Sequence, residues 1–177
     1  MLSKFVKGRV YVFVDAANIF YTQRTLGWRI SYERLRQYFK NECGRNSGKM
    51  FVYTATDSDR PQQKKFLDIL GINGYIVRTK EVKRIRITKG VYEWKGDFDV
   101  ELTMDVMDNI KEFDTAVLLS GDSDFAPIVR RMKENGKTVV IMSAKDHVSW
   151  ELIKLSDKYI NLKKLRNEIE LKIKSPR

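Results

Sequence analysis

The sequence predicts a doubly wound α/β domain, a mostly parallel sheet covered by helices on both faces. Three observations carry that prediction. Short apolar runs of strand length alternate with segments of helical period. The runs are near-continuously apolar, as strands buried on both faces must be. The 177 residues form most simply one domain, long enough to bury roughly 70% of the surface of the extended chain.

Five runs read as strands: "VYVFVDA" from Val10, "MFVYTAT" from Met50, "GYIVRT" from Gly74, "AVLLSG" from Ala116 and "TVVIMSA" from Thr138. Helical patterns lie between them. "SYERLRQYFKNE" opens on Ser31 as N-cap and carries Leu35, Tyr38 and Phe39 on one face. "DSDRPQQKKFLDIL" sets Asp59 as cap before Pro61 in the first turn. From Asp99, Leu102, Val106, Ile110 and Phe113 form an apolar stripe, and "DFAPIVRRMKENG" places Phe125, Ile128, Val129 and Met132 on one face before Gly136. No repeat or domain boundary interrupts 1–177. The core is expected over about 10–161, and 162–177 reads as a basic helix or tail with a solvated charged face.

Composition narrows the function. One Cys43 and one His147 cannot build a disulfide or a Cys/His zinc site. The opening "MLSKFVKGRV" lacks the apolar core of a signal peptide, and no window offers the roughly 18 apolar residues of a membrane span. These features predict a soluble cytoplasmic protein with no membrane partner. The net charge of +11 favours a polyanionic partner. The stretch "KEVKRIRITKGVYEWK" over 80–95, with a net +4, alternates basic with apolar and aromatic residues and reads as a hairpin or ordered loop. Within it Lys83, Arg84, Arg86 and Lys95 are candidate phosphate contacts. Trp94 and Tyr92 are either base-stacking aromatics or core.

The chemistry concentrates in "LLSGDSDF". Asp122 and Asp124 after an apolar strand either cap the following helix or hold a cation, since close carboxylates repel unless charge or protons offset them. In parallel α/β sheets, ligands bind at the carboxyl ends of strands, where strand order reverses. Asp15 ends the first strand, Asp122 and Asp124 follow the fourth, and Asp99 opens the helix leading into it, so all four are expected at one edge. At 100° per residue, Asp99 lies about 60° from Leu102 on the sheet-facing stripe and Asp105 about 60° to the other side, a flank that is also compatible with solvent. Asn18 in "VDAANIF" is a cap or turn residue by itself. Beside three acids, it can orient Asp15 or a water without adding charge. Such an oxygen-rich cluster suits Mg²⁺ or Mn²⁺ and metal-assisted phosphodiester hydrolysis, with no histidine as base. Without the five candidate acids Asp15, Asp99, Asp105, Asp122 and Asp124, the charge rises from +11 to +16. An acidic pocket in a basic surface suits a polyanion held by its phosphates.

The motifs "FVDAANIF", "KGDFDVELTMD" and "LLSGDSDFAPIVRRMKENGKTVVIM" resemble the NYN domain, the LabA-like branch of the PIN-like nucleases, over roughly 10–144. The resemblance implies a three-layer α/β/α sandwich, PIN-like and Rossmann-like, and a Mg²⁺- or Mn²⁺-dependent ribonuclease acting on single-stranded or structured RNA. A homodimer is expected only by analogy. It places the family's acids on Asp15, Asp99, Asp122 and Asp124, with Asp105 as a fifth and Asn18 in the first motif. Two residues, Asp97 and Phe98, separate Gly96 from Asp99 where many relatives have one, so Asp97 is either a substitute ligand or exposed. A haloacid-dehalogenase phosphatase needs an Asp where Ala17 stands, a toprim fold needs Glu in place of Asp15, and no Walker or GxGxxG loop occurs. The alternative of a different class is a non-catalytic RNA-binding or regulatory module that keeps the fold and the acids.

Overall fold

The computed structural model describes residues 1–56, 61–81, 83–88, 91–95 and 97–172. In chain order its elements are β1 (Val10–Asp15), α1 (Ala16–Leu26), α2 (Tyr32–Cys43), β2 (Ser47–Thr56), α3 (Pro61–Ile72), β3 (Ile76–Glu81), β4 (Lys83–Thr88), β5 (Val91–Lys95), α4 (Asp99–Asp108), β6 (Thr115–Leu119), α5 (Ala126–Glu134), β7 (Thr138–Ser143), α6 (Trp150–Leu155), β8 (Lys158–Asn161) and α7 (Arg166–Ile169). Six strands form one parallel sheet in the order β3-β2-β1-β6-β7-β8. The order reverses between β1 and β6, where the crossovers that follow these two neighbouring strands leave in opposite directions, the arrangement that leaves a crevice at the strand ends.

The period of two divides the strands between two cores. Val10, Val12, Val14, Val52, Val117, Leu119 and Val140 pack with α1, α2, α3 and the α7 region, around Ile19, Leu35, Phe39 and Leu70. Tyr11, Phe13, Phe51, Tyr53, Leu118 and Ile141 pack with α4, α5 and α6, around Leu102, Val106, Val129 and Leu152. This is the expected three-layer α/β/α sandwich. Phe13 stacks on Phe51 at 5.3 Å between ring centroids, and Phe113 meets Phe13 edge-on at 5.9 Å. Aromatic bulk fills the layer beneath the α4 helix.

Several local expectations hold. The Ser31 hydroxyl accepts the Arg34 N–H at the start of α2. Gly136 ends α5 with φ of 72°, the left-handed turn that a Cβ would strain. Asp59 lies outside the described residues. The segment after β3 is an antiparallel hairpin pairing Arg84 with Trp94 and Arg86 with Tyr92.

Three features depart from expectation. Helix α4 stops at Asp108, and Ile110 and Phe113 continue its stripe through turns. The sixth strand, "KYIN", went unrecognised because only Ile160 is fully buried in it. Residues 162–170 do more than present a solvated charged face: the lysines and arginines are exposed, but Leu162, Leu165 and Ile169 are buried in the α1/α2 core, and Ile30 and Glu170 form an antiparallel bridge. Their spacing of three and four was hidden by the lysines and arginines between them. Among the described residues no helix is long and apolar enough to cross a membrane.

Candidate active site

Register places the first two groups. Val14 pairs with Leu119, so Asp15 and Ser120, each one residue further, leave the sheet side by side. Both have the parity of the α4/α5 face. The Asp15 carboxylate caps α1, accepting the Asn18 N–H at 3.0 Å, and takes the Ser120 hydroxyl at 3.1 Å. Ser120 is fully buried, and its oxygen also accepts the Asp122 N–H at 3.3 Å. It is the site residue that sequence reasoning missed. A polar residue ending a wholly apolar strand was the available signal.

Asn18 closes the crevice from α1. Its Oδ1 accepts the Gly121 N–H at 3.2 Å, so the acid turn is tied to the β1–α1 junction twice, to Asp15 through Ser120 and to α1 through Asn18. Gly121 has no room for a side chain: a Cβ would sit 1.6 Å from the His147 carbonyl oxygen. Asp122 then caps the short turn Ser123–Phe125, accepting the Asp124 N–H at 3.0 Å. Of the two aspartates after β6, Asp122 is the cap and Asp124 only gives it a backbone N–H, while Asp15 rather than Asn18 caps α1. A carboxylate has about four lone-pair sites, so a cap leaves most of each group available.

Asp99 faces this turn from the first residue of α4. Its carboxyl is pushed up to about 6, first by burial and then by the charges of Asp122, Asp97, Asp15 and Asp124. Asp15 is also raised, mainly by burial, with the hydrogen bonds from Asn18 and Ser120 opposing the shift. The acids thus interact across the crevice, but among the described residues no three Asp, Glu, His or Cys side chains converge into a ready coordination group. Lys80 anchors the start of α4. Its ammonium binds Glu101 at 2.6 Å and the Asp97 carbonyl at 3.0 Å, and lies 5.0 Å from the Phe98 ring centre.

A raised carboxyl gives a stability prediction with a definite sign. The folded state holds the Asp99 proton more tightly than the unfolded chain, so its ionisation costs stability above about pH 6 and the cost disappears by about pH 4. Without divalent ions, Asp99→Asn is expected to be more stable than wild type at pH 7–8 by about 1 kcal/mol, after discounting for solvent screening. That difference should fade as the pH falls to 4. Thermal melts of both proteins across that range check it, and a pH-independent difference would refute it.

Asp105 goes elsewhere. It is 7% exposed, and its two oxygens take the Arg78 guanidinium from β3 at 2.7 and 2.9 Å and the Tyr53 hydroxyl at 3.0 Å. The flank reading that left it open to solvent is corrected, and the geometry commits it to a strand-to-helix clasp. Burial and the Asp105 charge push the Tyr53 hydroxyl upward, so it stays a donor. Asp105→Ala is expected to lose about 1–3 kcal/mol, because Tyr53 and Arg78 both lose their acceptor. Urea titration at neutral pH checks this.

The remaining candidates divide simply. Asp97 and Asp124 are exposed beside Asp99. The side chains of Lys83, Arg84, Arg86, Trp94 and Lys95 lie outside the described residues. His147 pairs its Nε2 with the Thr25 hydroxyl at 2.5 Å, joining the loop after β7 to α1.

Comparison with known proteins gives a consistent picture. The family model described as NYN domain matches residues 9–163. The chain is 30% identical over 168 residues to the low amplitude and bright protein LabA of Synechococcus elongatus, covering 94% of this chain and 90% of that protein. It is 33% identical over 69 residues to an uncharacterized protein of Methanocaldococcus jannaschii, covering 38% of this chain and 29% of that one. A crystal structure of a protein of unknown function from Vibrio parahaemolyticus matches with a TM-score of 0.78 at 26% identity, covering 93% of this chain and 97% of that one.

Proposed function

The chain belongs to the NYN domain family, in its LabA-like branch among the PIN-like nucleases, and from that premise we propose a Mg²⁺- or Mn²⁺-dependent ribonuclease. The observation that carries the reading is the placement of Asp15, Asp99, Asp122 and Asp124 at the switch point of a parallel sheet, with Asp15 and the Asp122 N–H joined through the Ser120 hydroxyl and Asp99 close enough to feel the other charges. Like charges held this near one another are unfavourable for a fold with no use for them.

The donor chemistry fits a hard divalent ion. The groups facing the crevice are carboxylates and one amide, and sets of this kind select Mg²⁺ or Mn²⁺ over softer metals. Asp15, Asp99, Asp122 and Asp124 are the residues that would hold it. When bound, the ion supplies positive charge to the scissile phosphate and makes an attacking water more acidic. The protein's own part is positional. Ser120 and the Asn18 N–H fix the rotamer of Asp15, Asn18 Oδ1 fixes the acid turn against the start of α1, and the Lys80 contacts fix where Asp99 enters. The basic remainder of the chain retains the polyanion near the pocket by its phosphates.

A second reading, an RNA-binding module without catalysis, draws on the capping roles that Asp15 and Asp122 fill. Incubating the protein with labelled single-stranded RNA in Mn²⁺, beside the same mixture with EDTA, separates the two. Cleavage that needs the metal supports the nuclease. Binding with no cleavage under either condition overturns it and leaves the module.

A further inference from the structure

Single exposed hydrophobic side chains are ordinary on a protein surface, so Trp150, 66% exposed at the first position of α6, matters only through where it is held. Its helix packs against the Ser123–Phe125 turn and against α5. The preceding residue, Ser149, donates its N–H to the Gly121 carbonyl at 2.9 Å. The loop before it is pinned by the Ser143 hydroxyl on the His147 carbonyl and by His147 on Thr25 of α1. The first turn of α6, which carries the exposed indole, is therefore held against the acid turn by backbone and side-chain hydrogen bonds. The Lys154 ammonium lies 5.4 Å from its ring centre.

On α1, Tyr21 is also exposed and flanks the line from Asn18 to Thr25, within about 60° of both on the helix. Exposed aromatic residues thus stand on both elements tied to Gly121 of the acid turn, α1 through Asn18 and α6 through Ser149.

We propose that Trp150 is a stacking platform for an unpaired base of single-stranded RNA, with Lys154 meeting the adjoining phosphate. This assignment rests on the nuclease reading above. A solvated indole face accepts any nucleobase, and a lysine at its edge supplies charge for the backbone. The +11 net charge favours a polyanion over an apolar protein segment as occupant. Bases in a duplex are already stacked on each other and cannot use the ring, so the platform selects for unpaired substrate.

The test is a titration with a short oligouridylate in EDTA, where no metal-dependent cleavage occurs, followed by intrinsic fluorescence and anisotropy. Wild-type indole emission should be quenched. Trp150→Ala should bind about ten-fold more weakly, Trp150→Phe should recover most of the affinity, and Lys154→Ala should flatten the salt dependence. Binding to an RNA duplex should be the same in wild type and both Trp150 variants, and the melting temperature of Trp150→Ala should match wild type because the ring is exposed. If Trp150→Ala binds like wild type while wild type still cleaves RNA in Mn²⁺, this proposal fails and the nuclease reading stands. If wild type neither binds nor cleaves RNA, both fail. Equal losses on oligouridylate and duplex, no recovery by Trp150→Phe, or a change of oligomeric state in Trp150→Ala with unchanged RNA binding also overturns the platform.

Discussion

Asp122→Asn is expected to lower metal-dependent RNA cleavage by about three orders of magnitude, the equivalent of several kcal/mol of transition-state stabilisation, while leaving the protein folded. Fold and function separate here because asparagine caps as well as aspartate. The amide oxygen can still accept the Asp124 N–H that Asp122 accepts at 3.0 Å, and the Ser120 bond to the backbone N–H of residue 122 is untouched by the change. What the variant loses is one negative charge among the acids that face Asp99. Millimolar Mn²⁺ should raise the melting temperature of wild type, since a ligand bound only by the native state stabilises it, and should raise that of the variant less. A variant that cleaves at the wild-type rate would remove Asp122 from the reaction.

The second large effect concerns a residue with no side chain. Gly121→Ala should destabilise the protein by about 3 kcal/mol, lowering the melting temperature by roughly 6–12 °C for a chain of this size. The new methyl would lie 1.6 Å from the His147 carbonyl oxygen, 2.6 Å from its carbon and 2.7 Å from the Val148 Cα. All three are backbone atoms. They cannot retreat, because the Ser149 N–H binds the Gly121 carbonyl and the His147 carbonyl takes the Ser143 hydroxyl. Gly71→Ala in α3 is the matched control: its Cβ meets nothing within 4 Å. Exchanging a helical glycine for alanine there should gain about 0.5–1 kcal/mol. Calorimetry on the two variants should therefore give shifts of opposite sign. A Gly121→Ala protein as stable as wild type would mean that the loop carrying Trp150 is not clamped to the acid turn.

Much of the molecule was legible in the chain itself. Five of the six sheet strands, the Ser31 cap, the Gly136 stop and the apolar faces of α2 and α5 follow from interactions within a few residues, where periods of 2 and 3.6 and the capping chemistry act. The aspartates at strand ends were legible for a related reason, because parallel strands direct their last residues to a common edge. The strand "KYIN" and the buried apolar residues after 161 were not, since their environment is made by β7, α2 and the α1–α2 turn, distant in sequence.

Sequence alone determined which residues bear the acids and that they stand where strands end; only the tertiary structure decided how those acids are used. Asp99 and Asp105 lie symmetrically about the same helical stripe, so periodicity could not separate them. Arg78 and Tyr53 on neighbouring strands did, by taking Asp105 into an ion pair and a hydrogen bond, while the crevice between β1 and β6 kept Asp99 among like charges. Ser120 became the brace of Asp15 through the β1/β6 register, and the start of α6 reached the acid turn through the hydrogen bond from the Ser149 N–H to Gly121. Local periodicity is written in adjacent residues. Strand neighbours and loop returns are set by the packing of the whole core.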